Sequence, residues 1–154
     1  MARTRFKAKG RRESGSFIAL PHNLLDSREY AALSAHARML LIDLFAQYRG
    51  HNNGDYSAAW TLMEPRGWRS RETLGRALAQ LLEAGFIVKT KQGGRNIPCL
   101  YGVTWKGIDE CDGKLDIKAN PVPLNTWKLK NSLTRLPCQL NTTTVSKRVA
   151  ANDY

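Results

Sequence analysis

The stretch SAAWTLMEPRGWRSRETLGRALAQLLEAGFIVKTKQGGRNIPCLYGVTW, residues 57–105, decides the fold. It divides into a short helical segment, a tight turn, a longer helical segment and a β-hairpin with a basic, glycine-rich tip. Ser57 is positioned to cap a helix over 58–64, with Trp60 (or Leu62) and Met63 on its buried side. Pro65 and Gly67 then end it. Trp68 packs under the short connection that follows. Ser70 caps the next helix, over 70–84, and Glu72 sits in its first turn. Leu74, Ala77, Leu78, Leu81 and Leu82 recur at helical spacing and form its buried stripe, and Gly85 closes it.

The opposite side of this helix offers Arg69, Arg71, Thr73, Arg76 and Gln80. At about 1.5 Å per residue these span roughly 16 Å, comparable with a major groove about 12 Å wide. Arginine reads guanine through a bidentate pair and glutamine reads adenine. The same residues also suit an ordinary solvated face. The short turn before the helix and the scarcity of acidic neighbours favour recognition. Residues 86–91 (FIVKTK) and 99–105 (CLYGVTW) are strand-like, and Tyr101, Val103 and Trp105 alternate onto one face. Between them, Lys89, Lys91 and Arg95 flank Gly93 and Gly94, giving a flexible cationic tip suited to phosphate. A lysine-bearing hairpin is equally consistent with edge protection.

Working outward, Ser34 caps a helix over 35–49 in which Leu40, Leu41, Leu44, Phe45 and Tyr48 share a face. HNNGD (51–55) ends it, and Asp55 and Tyr56 allow a short extended piece. Residues 22–33 suit a short broken helix, with Ser27 capping its second part. FIAL (17–20) is a strand or an extended packed segment. After Lys106 the pattern fades. GIDECDGKLDI (107–117) is acidic and turn-rich, with one possible strand at 114–117, and Pro121 and Pro123 mark the end of the compact body. Trp127 is placed to anchor the chain back onto it. The expected organisation is a disordered basic arm over 1–15, one domain over 16–117, and a proline-containing linker with a basic polar tail over 118–154.

The net charge of the 154 residues is +11. Residues 1–13 carry six cations, among them Arg3, Arg5, Arg11 and Arg12, against Glu13, a net +5. Residues 128–154 add five cations against Asp153, a net +4, so the middle holds only +2. Two basic arms around a nearly neutral body suit a protein that grips a polyanion. With 42% hydrophobic residues the chain can bury a core. No apolar run approaches the 18 or so residues of a membrane span. The basic N-terminus has no apolar segment of the kind that directs export, so the expected place is the cytoplasm, at the nucleoid.

Cys99, Cys111 and Cys138 are odd in number and form no C-x-x-C pair, while His22, His36 and His51 lack ligand spacing. Neither a zinc site nor a disulfide framework is expected, and no cofactor is implied. No nucleotide loop, serine-hydrolase elbow or metalloprotease motif is present, so the expected protein is not an enzyme. Tyr48 and Tyr56 lack the paired histidines that a DNA-nicking tyrosine uses, and are read as structural.

The order of elements resembles the winged-helix family: an α+β fold with a three-helix core and a β-hairpin wing. YAALSAHARMLLIDLFAQYRGHNNGDYS, GWRSRETLGRALAQLLEAGFIVKTKQGG and YGVTWKGIDEC are similar to bacterial and phage helix-turn-helix proteins related to the N-terminal domains of plasmid and phage replication initiators. The resemblance covers about residues 17–117. It implies that Arg69, Ser70, Arg71, Thr73 and Arg76 enter the groove and that Lys89, Lys91 and Arg95 are wing contacts. Full-length initiators carry two such domains and this chain holds one. A non-catalytic regulator or replication-accessory protein of a mobile element, bound to double-stranded DNA, is therefore the expected role. A homodimer would match a palindromic site. The alternative is a winged helix that docks on, or inhibits, a host protein complex that processes nucleic acid.

Overall fold

The computed structural model describes residues 15–128. The expected arm contacts Arg3, Arg5, Arg11 and Arg12, and the tail from residue 129 onward, lie outside the described residues.

The chain enters through an irregular segment whose Ile18 and Leu20 pack against the core. Two short helices follow, α1 (His22–Leu25) and α2 (Arg28–Ala32). Ser27 separates them. Its hydroxyl donates to the Leu24 carbonyl at 2.6 Å and accepts from the Tyr30 N–H at 3.1 Å, closing one helix and opening the next. Ser34 caps α3 (Ala35–Phe45) by accepting from the Ala37 N–H. Leu40, Leu41, Leu44 and Phe45 are buried, as their spacing requires.

The helix stops at Phe45 rather than continuing to residue 49. Side-chain bonds take over there. The Gln47 carboxamide donates to the Ser57 carbonyl at 2.9 Å and accepts from the Ser57 N–H at 3.0 Å. Asn52 donates to the Gln47 carbonyl and accepts from the Arg49 N–H. Gln47 thus acts as a strand neighbour for β1 (Tyr56–Ser57). Ser57 is accordingly a strand residue, and the expected helix cap falls instead to Ala59, which has no capping side chain.

α4 (Trp60–Met63) runs into a 3-10 turn, Glu64–Arg66. Pro65 lies inside that turn, in its first positions, where a missing N–H removes no helical bond. Gly67, at φ 97°, makes the exit. α5 (Arg71–Ala84) is capped by Ser70 and closed by the left-handed Gly85. Its Leu74, Ala77 and Leu81 pack against α3 and the sheet.

β2 (Ile87–Lys91) and β3 (Leu100–Val103) complete an antiparallel sheet in the order β1-β3-β2. β3 is central. A bulge between Lys89 and Lys91 turns Thr90 inward, where its hydroxyl donates to the Gly54 carbonyl.

The alternation of Tyr101, Val103 and Trp105 onto one face captures half of the arrangement. All residues from Leu100 to Trp105 are buried, because the second face of the sheet is covered too. A side chain at Gly102 would meet the Gly54 Cα and Ile108 Cδ1, each at 3.0 Å, so the loop over 53–54 and the segment after residue 107 lie directly on β3. That covering segment holds no strand at 114–117. Its backbone instead forms a 3-10 turn, Cys111–Gly113, and an isolated bridge between Ile108 and Asn120.

The packed body also continues beyond residue 117. Asn125 N–H donates to the Thr104 carbonyl at 2.7 Å, and the Thr126 hydroxyl donates to the Gly85 carbonyl at 2.7 Å. Trp127 is buried and stacks on Phe86, with ring centroids 5.8 Å apart and planes at 10°. The anchoring role read for Trp127 holds. Among the described residues no helix is long and apolar enough to cross a membrane.

Candidate nucleic-acid interface

α5 and the β2–β3 hairpin carry the residues singled out from the sequence, and they point in several directions. Leu74, Ala77 and Leu81 define the buried side of α5. At 100° per residue, Arg76 projects away from it, and Glu72 and Glu83 share that outward side. Arg76 lies 3.7 Å from Glu72 in a loose pair whose side chains are 73% and 80% exposed. Such a pair is worth little in water and leaves the guanidinium available. Arg69 is exposed in the turn.

Arg71 turns toward α4, and its guanidinium sits 5.3 Å from the centre of the Trp60 ring. Thr73 turns the other way, toward α3. It lines shallow clefts with His36, Arg69 and Ser70 on one side and Arg76 and Ser34 on the other. The Ser70 hydroxyl is occupied in capping, accepting from the Thr73 N–H at 3.3 Å.

Gln80 stands apart. Its side-chain oxygen accepts from both the N–H and the hydroxyl of Ser34, at 3.2 and 2.7 Å. It ties α5 to the start of α3, so its side-chain oxygen is engaged within the protein.

The turn before α5 is fixed by a residue the sequence reading passed over. Asp43 on α3 accepts from Trp68 Nε1 at 2.9 Å and from Arg66 Nη1 at 3.2 Å. Trp68 is buried beneath the turn, as expected. An aspartate in the middle of a leucine-rich helix was the available signal.

In the hairpin, Lys89 is exposed and donates to Gln92 Oε1, whereas Lys91 is half-buried beside the bulge. Arg95 occupies the tip, in a turn closed by paired backbone bonds between Gly94 and Ile97. The left-handed residue of that turn is Asn96, at φ 63°, not a glycine. Gly93 is required for a different reason. A Cβ there would lie 2.5 Å from the Ile97 carbonyl oxygen, so the hairpin strands cross too closely for any side chain. The Gln92 N–H donates to Asp116 Oδ2 at 2.7 Å and the Asp116 N–H to the Thr90 carbonyl at 2.9 Å, bracing the base of the tip.

Charge is distributed unevenly over these surfaces. Among the described residues, Arg69, Arg71, Lys89, Lys91 and Arg95 form no ion pair with a carboxylate. Asp109, Glu110, Asp112 and Asp116 belong to the segment that covers the sheet face away from α5. Asp55, Asp109, Glu110 and Asp112 surround Cys111 in one shallow depression. Burial pushes the Cys111 thiol up to about 11, with Asp55 and Asp109 adding to the effect. No group of three or more His, Cys, Asp or Glu side chains among the described residues is arranged to hold a metal ion.

The two tyrosines considered as nucleophiles are packed into the structure. Tyr56 is fully buried, and burial holds its hydroxyl well above the usual tyrosine range. Tyr48 donates to the Gly50 carbonyl at 2.7 Å, and its ring stacks on Phe45 beneath Lys106.

Comparison with protein-family models, characterised proteins and solved structures returned no match.

Proposed function

We propose that the chain is a winged-helix protein that binds double-stranded DNA without catalysing a reaction on it, and that it serves a mobile element as a regulator or replication-accessory protein. α4, the turn at Gly67 and α5 form the helix-turn-helix in this reading, and the β2–β3 hairpin is the wing. The observation that carries it is the separation of charge. Among the described residues Arg69 and Arg71 at the start of α5 and Lys89, Lys91 and Arg95 of the hairpin have no carboxylate partner, while Asp109, Glu110 and Asp112 lie in the segment that covers the opposite face of the sheet and Asp116 sits at the base of the hairpin.

Arg76 reaches base edges or phosphates from the outward side of α5 and Arg69 from the turn before it, and Arg71 joins them by leaving the Trp60 ring. Lys89, Lys91 and Arg95 hold the adjacent backbone, and the basic arm supplies affinity independent of sequence. The expected site of action is the nucleoid.

Selection of bound sequences from a random duplex pool tests this directly. The wild-type chain is expected to enrich a defined motif. The double variant Arg71→Ala, Arg76→Ala is expected to lose discrimination of about 1–3 kcal/mol per base contact removed, while keeping salt-sensitive binding to duplexes in general. An unchanged motif in the double variant would remove these arginines from the reading.

A further inference from the structure

Gly75 has no structural reason to be glycine. It lies inside α5, five residues after the cap, with ordinary helical backbone and no left-handed φ. It is exposed, and a Cβ there would meet no heavy atom of the described residues within 4 Å. Gly93, Gly85, Gly102 and Gly107 are different: each has backbone within about 3 Å of where a side chain would begin, and Gly54 and Gly67 need positive φ. A glycine in a helix interior loses stability relative to alanine, because the unfolded chain gains freedom and the helix gains no packing. The fold therefore carries a cost at Gly75 that nothing among the described residues offsets.

The surroundings indicate what does. Arg71 lies one turn before Gly75 on the same helical ridge and is held over Trp60, with no carboxylate partner among the described residues. Leu78, three residues on, lines a shallow cleft between α5 and the hairpin with Pro98, Cys99 and Tyr101. Gly75 thus lies between Arg71 and Leu78, the residue of α5 that faces the hairpin, and a side chain there would stand between α5 and anything approaching it.

We infer that Gly75 is the point of closest approach between the α5 backbone and duplex DNA, its missing side chain letting the helix seat deeply enough for Arg71 to reach a base edge. This rests on the DNA-binding reading above and adds a specificity-determining position to it.

The test uses the full chain with Gly75→Ala and Gly75→Leu. Both residues favour helix, and both side chains start in open space, so neither variant should misfold. Thermal unfolding of the Ala variant is expected to shift up by about 4 °C. Affinity for the duplex selected by the wild-type chain is expected to fall about tenfold for Ala and at least a hundredfold for Leu. Stability and binding then move in opposite directions, which a merely structural glycine would not produce. Wild-type affinity in both variants overturns the inference and leaves the DNA-binding reading standing. A lower unfolding temperature in the Ala variant also overturns it, because the glycine would then serve the fold. Absence of duplex binding by the wild-type chain removes the reading and the inference together.

Discussion

Asn53→Ala is expected to bring the protein close to the limit of folding. Asn53 is fully buried, and its carboxamide joins its own loop to the turn over 103–107. Nδ2 donates to the carbonyls of Val103, Lys106 and Gly107 at 3.0, 3.3 and 2.7 Å, and Oδ1 accepts from the Val103 N–H at 2.8 Å. These bonds shape the turn at the end of β3 and hold it against the loop after α3. Removing the carboxamide leaves the Val103 N–H and at least one carbonyl without partners in a dry site. At about 1–3 kcal/mol for each such group, the loss is roughly 2–6 kcal/mol. Folded domains of this size have about 5–15 kcal/mol in total.

Asn53→Asp sharpens the test. It is nearly isosteric and keeps the acceptor for Val103, yet sets a carboxylate against three carbonyl oxygens. It should be at least as damaging as alanine. The measurement is the denaturant midpoint of each variant. A midpoint for Asn53→Asp close to wild type would contradict the role given to this residue.

The second large effect is at Trp127. Its ring closes the core by stacking on Phe86, which itself meets Tyr30 edge-on at 6.3 Å. The chain reaches this position through Thr126 on the Gly85 carbonyl, and a Cβ at Gly85 would lie 2.9 Å from the Trp127 nitrogen. Trp127 is 4% exposed, so Trp127→Ala opens a cavity and is expected to cost about 3–5 kcal/mol. A chain ending at residue 117 loses the same contact along with the bridge to Asn120, and should unfold at lower denaturant than one ending at residue 128. Equal stability of the two truncations would place Trp127 outside the cooperative core.

Features fixed by neighbouring residues were legible in the sequence. Ser27, Ser34 and Ser70 each bond to an N–H three residues on, and Gly85 ends its helix by its own conformational freedom. The leucine stripes of α3 and α5 are equally local, being set by helical period. What escaped depends on partners distant in the chain. Ser57 has the chemistry of a cap but pairs with Gln47, and that choice also ends α3 early. Asn53 looks like turn chemistry until β3 is brought beside it, fifty residues on. The buried second face of β3 depends on the acidic segment folding back, which the alternation of Tyr101, Val103 and Trp105 does not encode.

The candidate interface divides along the same line. The exposed arginines of α5 follow from helical period. The diversion of Gln80 to Ser34, forty-six residues away, and of Arg71 to Trp60 follows from how α3 and α4 pack around α5.

The central claim is that duplex DNA is gripped electrostatically and read by α5. It is tested most directly by the affinity of the full chain for labelled duplexes across a range of salt concentrations, with and without residues 1–12. The predicted result is an affinity that falls linearly with salt on logarithmic axes. Loss of the arm should flatten that slope and weaken all duplexes alike, while preference among sequences survives. A wild-type chain with no salt-sensitive binding to any duplex would contradict the claim.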